Sequence, residues 1–303
     1  MKNLIITDDI SKADLITHNG TFHADEVFST VLLMNFIDKD DVFLCRTSDV
    51  AGASGIIYDV GLGEFDHHQI GGNGERENGI KFASFGLVWK KYGRKYLERF
   101  DCDVSECFSS MDKKLVTMID AIDNGQYSSD STINIINVSS LIGLFNSSWD
   151  EVSNQDVYFV SAVNFASIIF DKVVKSVISK VKAKCLVEEA IDKSNGIMIL
   201  DNFMPYKDFI IESINPKAKD ILFVVHPSNR GGYNVCTVPV AIGSFVSRKL
   251  FPSSWAGLRD KELQDVSGVS SIRFCHNARF ICACETYEDA LKIAEIAFNY
   301  VEE

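Results

Sequence analysis

Short apolar runs alternate along this chain with longer stretches whose apolar positions recur every three or four residues. Asp14-Leu15-Ile16-Thr17, Val42-Phe43-Leu44-Cys45-Arg46 and Gly55-Ile56-Ile57-Tyr58-Asp59-Val60 are of the first kind. Each ends near polar or glycine residues and reads as a buried strand. Between the first two, residues 24–36 carry Val27, Phe28, Val31, Leu32 and Phe36 at helical spacing, which suits a helix packed on a sheet. Strand, helix, strand in that order predicts a parallel α/β sheet. Ligands of such sheets gather beyond the carboxyl ends of the strands. Thr17-His18 and Asp59 both fall at that edge.

Further helices are predicted over 83–99 and 111–124. Residues 152–193 place Val160, Val163, Ile168, Phe170, Val173, Val174, Val177, Ile178 and Val181 at helical spacing, with no proline or glycine before Gly196. This segment reads as one or two long helices ending in an inter-domain connection. Strand-like runs follow at 196–200, 220–225 and 233–238, then a closing helix over 287–300 with Thr286 as its N-cap. The fold class is therefore α/β in two domains, 1–190 with the helical connector and a smaller α/β unit over 196–303. The glycine-rich run 71–79 reads as an exposed loop.

Two domains also suit the length of 303 residues. No apolar run of about 18 residues stands out, so no membrane span is expected. The start resembles neither a secretory signal nor an Arg-rich transit peptide. Eight cysteines are scattered without a CxxC pair, which points to reduced thiols in an intracellular protein. Cytoplasm or nucleus is the expected compartment, with mitochondria and an oligomeric state left open. The net charge of −12 argues against a broad grip on a nucleic-acid backbone. A phosphate ester, or one end of a nucleic acid, held near metals and a few cations is compatible with it.

The candidate chemistry concentrates in two segments, Thr17 to Glu26 and Asp59 to Gln69, which hold four of the six histidines, each near an aspartate. Imidazole with carboxylate is the ligand set for manganese, zinc or magnesium. His18, His23 and Asp25 surround a strand-to-helix turn at Gly20, where glycine lets the backbone bend so that side chains converge. Asp25 could equally cap the helix, and Asp59 could equally open a turn. In Asp66-His67-His68 the neighbouring imidazoles point in different directions, so one suits a metal and the other a substrate. Asp66 can fix an imidazole through its ring N–H. Asp120 and Asp123 share a helix face just before Gly125, and carboxylates at a helix C-terminus oppose its dipole unless a cation is near. Arg259, His276 and Arg279 supply cationic or imidazole groups in the second half that suit phosphate recognition, or ordinary surface positions. His226-Pro227 reads as structural.

Thr17 to Glu26, Tyr58 to Gln69 and Ile119 to Gly125, in that order, resemble the motifs of the DHH phosphoesterase superfamily. The resemblance is closer to one branch, the melanocyte-proliferating-gene exonucleases. It extends to Lys81–Trp89, Trp255–Asp260 and Phe274–Phe280, and so over nearly the whole chain. It implies a two-metal site in an N-terminal domain with a mainly parallel sheet, and a C-terminal domain closing a cleft over the substrate. Carried over, one metal is held by His18, His23 and Asp59, the other by Asp25, Asp59, His67 and Asp123. Manganese is favoured, with magnesium or zinc as alternatives. His68, Asp59 and His67 are the catalytic residues so implied, and Arg259, His276 and Arg46 the substrate contacts. The implied activity is 3′-to-5′ hydrolysis of RNA ends by a metal-activated water. A small-molecule phosphatase or pyrophosphatase on the same site, and a non-enzymatic metal-stabilised binding protein, are the alternatives.

Overall fold

The structure, a computed structural model, describes residues 2–127, 135–151 and 154–302. The chain divides into two compact units, Met1–Ser179 and Lys180–Glu303.

The first unit is built on β1 (Asn3–Ile6), β2 (Leu15–Thr17), α1 (Ala24–Met34), β3 (Asp41–Arg46) and β4 (Ile56–Ile57). The four strands are all parallel and lie in the order β1-β3-β2-β4. The expected β2–α1–β3 crossover is present, and β1 adds an edge strand that the short, acid-flanked N-terminal run did not announce. Leu15, Ile16 and Thr17 are fully buried. Central parallel strands are covered on both faces, hence the unbroken apolar run. α1 is buried along nearly all its length because it packs on both β2 and the next helix, α2 (Ser84–Leu97). Phe28 meets Phe85 across that contact at 5.5 Å.

Two short helices follow, α3 (Val104–Met111) and α4 (Thr117–Asp123), joined without a break by a π-helical turn at Asp112–Val116. α5 (Val138–Gly143) precedes α6, which runs unbroken from Gln155 to Lys193. Residues 152 and 153 of the expected helix lie outside the described residues.

Contrary to the expectation from sequence, part of α6 is long and apolar enough to cross a membrane by length and composition. A third of that apolar window is buried within the protein. Its buried residues, among them Phe159, Val163, Ala166, Phe170, Val174 and Val177, recur every three or four positions on one face. Phe170 sets its ring edge-on against Phe85 and Trp89 and also meets Tyr96, so this face completes the first core.

The unit boundary falls inside α6, not after it. The reason is packing, because Ala183, Val187 and Ile191 belong to a core of the second unit. That unit contains β5 (Ile197–Ile199), α7 (Lys207–Glu212), β6 (Phe223–Pro227), β7 (Tyr233–Thr237), α8 (Asp260–Ser267), β8 (Ile272–Cys275), β9 (Ile281–Cys284) and α9 (Tyr287–Asn299). Its sheet has the order β5-β6-β7-β9-β8, with β5 parallel to β6 and the other pairings antiparallel. Strand alternation divides its core in two. Phe223, Val225 and Val235 face α9, whereas Val224, Cys236 and Val238 face the end of α6 and α7. Thr286 caps α9 as expected, accepting from the Asp289 N–H at 3.2 Å.

Candidate metal centre

The carboxyl edge of the first sheet gathers the acidic and histidine side chains of three segments. β2 ends at Thr17, and His18 follows. Its Nδ1 donates to the Asn19 carbonyl at 2.9 Å. That bond directs the other ring nitrogen, Nε2, to within 2.9 Å of Glu26 and 3.4 Å of Asp59. The chain then turns at Gly20, whose φ of +81° favours glycine. His23 is the N-cap of α1, and its N–H donates to both Glu26 carboxylate oxygens at 2.9 and 3.0 Å. This capping box places Asp25 and Glu26 in the first helical turn, where the helix dipole favours negative charge. Both are almost wholly buried.

Asp59 follows β4 in a left-handed conformation, with φ of +56°. Asp tolerates that region better than most residues, but such a backbone still costs energy and persists only where its surroundings hold it. Here the Asp59 N–H donates to the Phe65 carbonyl at 3.0 Å, and the preceding Tyr58 N–H to Ile16 at 3.0 Å. The strained turn aims the two carboxylate oxygens at different neighbours. Oδ2 lies 3.4 Å from His18 Nε2, and Oδ1 lies 3.3 Å from His67 Nε2. His67 Nε2 is also 3.2 Å from Asp123 and 3.7 Å from Asp25. Asp66 builds the loop around these groups, accepting from the Leu62 N–H at 2.7 Å, the His68 N–H at 3.1 Å and His68 Nδ1 at 2.7 Å.

The two carboxylates of α4 part company. Asp123 reaches His67, whereas Asp120 is fully buried beside Arg76, with Nη1 at 2.7 Å. Arg76 also grips Asp112 through two hydrogen bonds of 2.9 and 2.8 Å. Asp120 further accepts from the Gly86 N–H at 3.0 Å. Gly86 is needed there, since a Cβ would lie 1.9 Å from Asp120 Oδ2. Asp120 therefore pins α4 to α2 and leaves Asp123 as the carboxylate at the centre.

Four carboxylates thus converge: Asp25, Glu26, Asp59 and Asp123. Their oxygens and the His18, His23, His67 and His68 nitrogens form overlapping groups of three, each within 4.8 Å. Asp25 Oδ1 and Asp59 Oδ1 are buried without a hydrogen bond. Burial of several anions side by side is strongly unfavourable unless enough cations accompany them. Orphaned carboxylate oxygens among imidazoles are the donor set of a divalent metal site, and these residues could hold metal ions.

Without a metal, protons are the available cations. Burial, reinforced by Asp59 and Glu26, raises Asp25 well above the usual carboxylate range. Burial alone would lower His18, but its bonds to Asp59 and Glu26 prevail and push it up to about 10. His67 is likewise raised, its contact with Asp59 outweighing burial. Metal binding requires neutral imidazoles and must expel these protons. Adding manganese to metal-free protein at neutral pH is expected to release about one or two protons per chain. Apparent affinity should weaken as pH falls, because the raised imidazoles hold their protons more fully. Calorimetry in two buffers of different ionisation enthalpy measures the release, and a heat independent of buffer would contradict it.

The groups border a cavity of about 530 Å³, walled by Phe22, Ile119, Ile122, Ser139 and Gly143 and reached by Asp59, His67 and His68. The His68 side chain is 58% exposed, in contrast to the buried Asp25, Glu26 and Asp59.

The structure brings His18, His23, Asp25, Asp59, His67, His68 and Asp123 together. It gives Arg46 an internal role in place of the expected substrate contact. Its guanidinium bonds Asp156 at 2.9 Å and the Gly20 carbonyl at 2.7 Å, and lies over the rings of Phe22 and Phe159. Arg259 and His276 belong to the second unit. Arg259 is exposed and lies over Phe274, and His276 is exposed with its ring 4.4 Å from that of Phe280. Glu26 is the site residue that the sequence reading gave no role. Its signal was the spacing from His23, three residues on, which marks a capping box and also delivers a second carboxylate to His18.

A model of the MYG1 exonuclease family, described as an uncharacterised protein family (UPF0160), matches residues 14–298. The MYG1 protein of Saccharomyces cerevisiae is 31% identical, covering 98% of each chain. A MYG1 protein of Caenorhabditis elegans is 32% identical over 95% of each chain. The human MYG1 exonuclease is 29% identical, over 92% of this chain and 84% of its own. No solved structure matches significantly. The ligand-bearing segments all lie within the matched residues, and the chain belongs to the MYG1 exonuclease family.

Proposed function

We propose that this protein is a metal-dependent phosphodiesterase that removes nucleotides from the 3′ end of RNA, using two divalent metal ions, with manganese preferred. The observation that carries the reading is the placement of Asp59, whose two oxygens face two separate ligand groups. His18, His23 and Glu26 with Asp59 Oδ2 would hold one ion. Asp25, His67 and Asp123 with Asp59 Oδ1 would hold the other. When bound, such a pair of ions makes a water nucleophilic at neutral pH and offsets charge on a phosphate.

The protein's own groups supply the rest. His68, oriented by Asp66, presents an exposed imidazole that can hydrogen-bond a phosphate oxygen or pass a proton to the leaving oxygen. Phe22, Ile119 and Ile122 give the cavity apolar walls that keep bulk water from the scissile bond. A cavity of about 530 Å³ suits one terminal nucleotide rather than a length of duplex, in keeping with a net charge of −12. The family names of the mouse and human relatives, MYG1 exonuclease, support the same reaction class.

Incubation with manganese and a short 5′-labelled single-stranded RNA tests the reading. A ladder shortening from the 3′ end is expected. His67→Ala should slow it beyond the roughly 10–100-fold typical of losing an outer partner of a metal ligand. Intact RNA, with turnover of a small phosphate ester instead, would replace the RNA reading with a small-molecule phosphatase on the same site.

A further inference from the structure

A second cavity, of about 430 Å³, lies wholly within the second unit. That volume falls in the range of small-ligand sites. Its floor comes from adjacent strands. His226 on β6 pairs across the ladder with Asn234 on β7, and Val224 pairs with Cys236, so these side chains share one face. His226 is 3% exposed, and its Nδ1 donates to the Pro227 carbonyl at 2.8 Å. The other ring nitrogen is then an acceptor, and the Cys236 thiol sits 3.6 Å from it. Burial lowers His226 and raises Cys236, so the floor is polar but uncharged.

Two further features are unspent. Among the described residues, the Asn234 amide and the Lys207 ammonium line the cavity without a hydrogen-bond or ion-pair partner. Phe203 and Phe280 border it and are 65% and 39% exposed. Phe203 rests on the His226 imidazole, with centroids 5.1 Å apart. Exposed aromatic rings beside a cavity cost solvation that a flat ligand recovers. An amide offers a donor and an acceptor side by side, the complement of a heterocycle's hydrogen-bonding edge. A free ammonium at the rim adds a site for an anionic substituent. A purely aliphatic ligand would use none of the polar groups.

We propose that this cavity binds a nucleobase, stacked on Phe203 and read by Asn234, with the attached phosphate at Lys207. The inference rests on the RNA reading only for the source of the base, which is either a nucleotide released by cleavage or a base of the uncut chain.

Binding is measured by calorimetry on the full chain with chelator and no metal. The titrants are AMP, GMP, CMP, UMP, a trinucleotide RNA, and ribose 5-phosphate as a base-free control. At least one nucleotide should bind saturably, and ribose 5-phosphate should not. Phe203→Ala, an exposed position, should weaken binding by about five- to a hundredfold, the range for loss of one base–aromatic stack. Asn234→Ala should change the order of preference among the four bases. Tighter binding of the trinucleotide than of any mononucleotide supports the proposal with the RNA chain as source, and the reverse supports it with the product as source. The His67→Ala variant should bind nucleotides as the parent does, so failure of cleavage and failure of this site are separate results. Absence of saturable binding, equal binding of ribose 5-phosphate, an unchanged Phe203→Ala or loss of binding in His67→Ala would overturn the proposal.

Discussion

Asp59→Asn is expected to lower turnover of RNA by on the order of a thousandfold, the scale of several kcal/mol of lost charge stabilisation. Asparagine is the informative replacement because it tolerates the left-handed backbone that residue 59 adopts at φ +56°. It also keeps the carboxylate's shape, so the fold should survive. What disappears is one negative charge shared between the His18 and His67 sides of the centre. The single neutral amide oxygen cannot serve both of the proposed ions, and bound manganese should fall along with activity. Elemental analysis of the purified variant beside an RNA assay measures both. A variant with full activity and full metal content would show that Asp59 is only a turn residue.

Arg76→Met is expected to destabilise the first unit by about 3 kcal/mol or more, because removing one partner of a buried pair strands the other. Arg76 is the cation beside both Asp120, which is fully buried, and Asp112. Even with Arg76 present, burial pushes Asp120 up to about 7. Without Arg76 it should rise further and be protonated in the folded protein across neutral pH. A carboxyl whose folded pKa lies above its unfolded value costs stability as pH rises. The variant should therefore be nearest the parent in mild acid and weakest above neutrality. Adding Asp120→Asn should restore part of the loss by removing the stranded charge. Denaturant unfolding of the three proteins from pH 5 to 8.5 measures this, and a loss that does not vary with pH would point to packing alone. Activity should fall as well, since Asp120 fixes the helix that carries Asp123.

The parts of the fold visible in the sequence were those with a single dominant pattern. β2, α1 and β3 were legible because the strands are buried on both faces and the helix has a regular apolar repeat. The β1-β3-β2-β4 order was not, because strand order depends on packing that no local pattern records. β8 and β9 were missed because their runs, Ile272–Cys275 and Ile281–Cys284, are only four residues long, β8 is interrupted by Arg273 and β9 is half cysteine, and the two meet through a bulge at Ile272/Phe274. The start of β6 was displaced because Asp220–Leu222, apolar at its end, precedes the strand and is not part of it.

At the centre, His18 and Asp59 were legible as polar residues placed just past strands, where burial needs a chemical reason, and His67 as one of two adjacent imidazoles beside Asp66. Glu26 was hidden by an adequate bland explanation, since a glutamate in the first turn of a helix needs no metal to be favourable. Arg46 was expected at the substrate only through the family resemblance, but Asp156, more than a hundred positions away in sequence, claims it. Such a long-range ion pair has no signature in either segment.

The most direct test of the central claim is a crystal structure of the protein soaked in manganese, with anomalous diffraction recorded at the manganese edge. Two peaks about 3.5–4 Å apart are expected, with one Asp59 oxygen on each. His18 and Glu26 should flank one peak, and His67 and Asp123 the other. A single peak that leaves Asp59 uncoordinated, or no peak at these residues, would contradict the account.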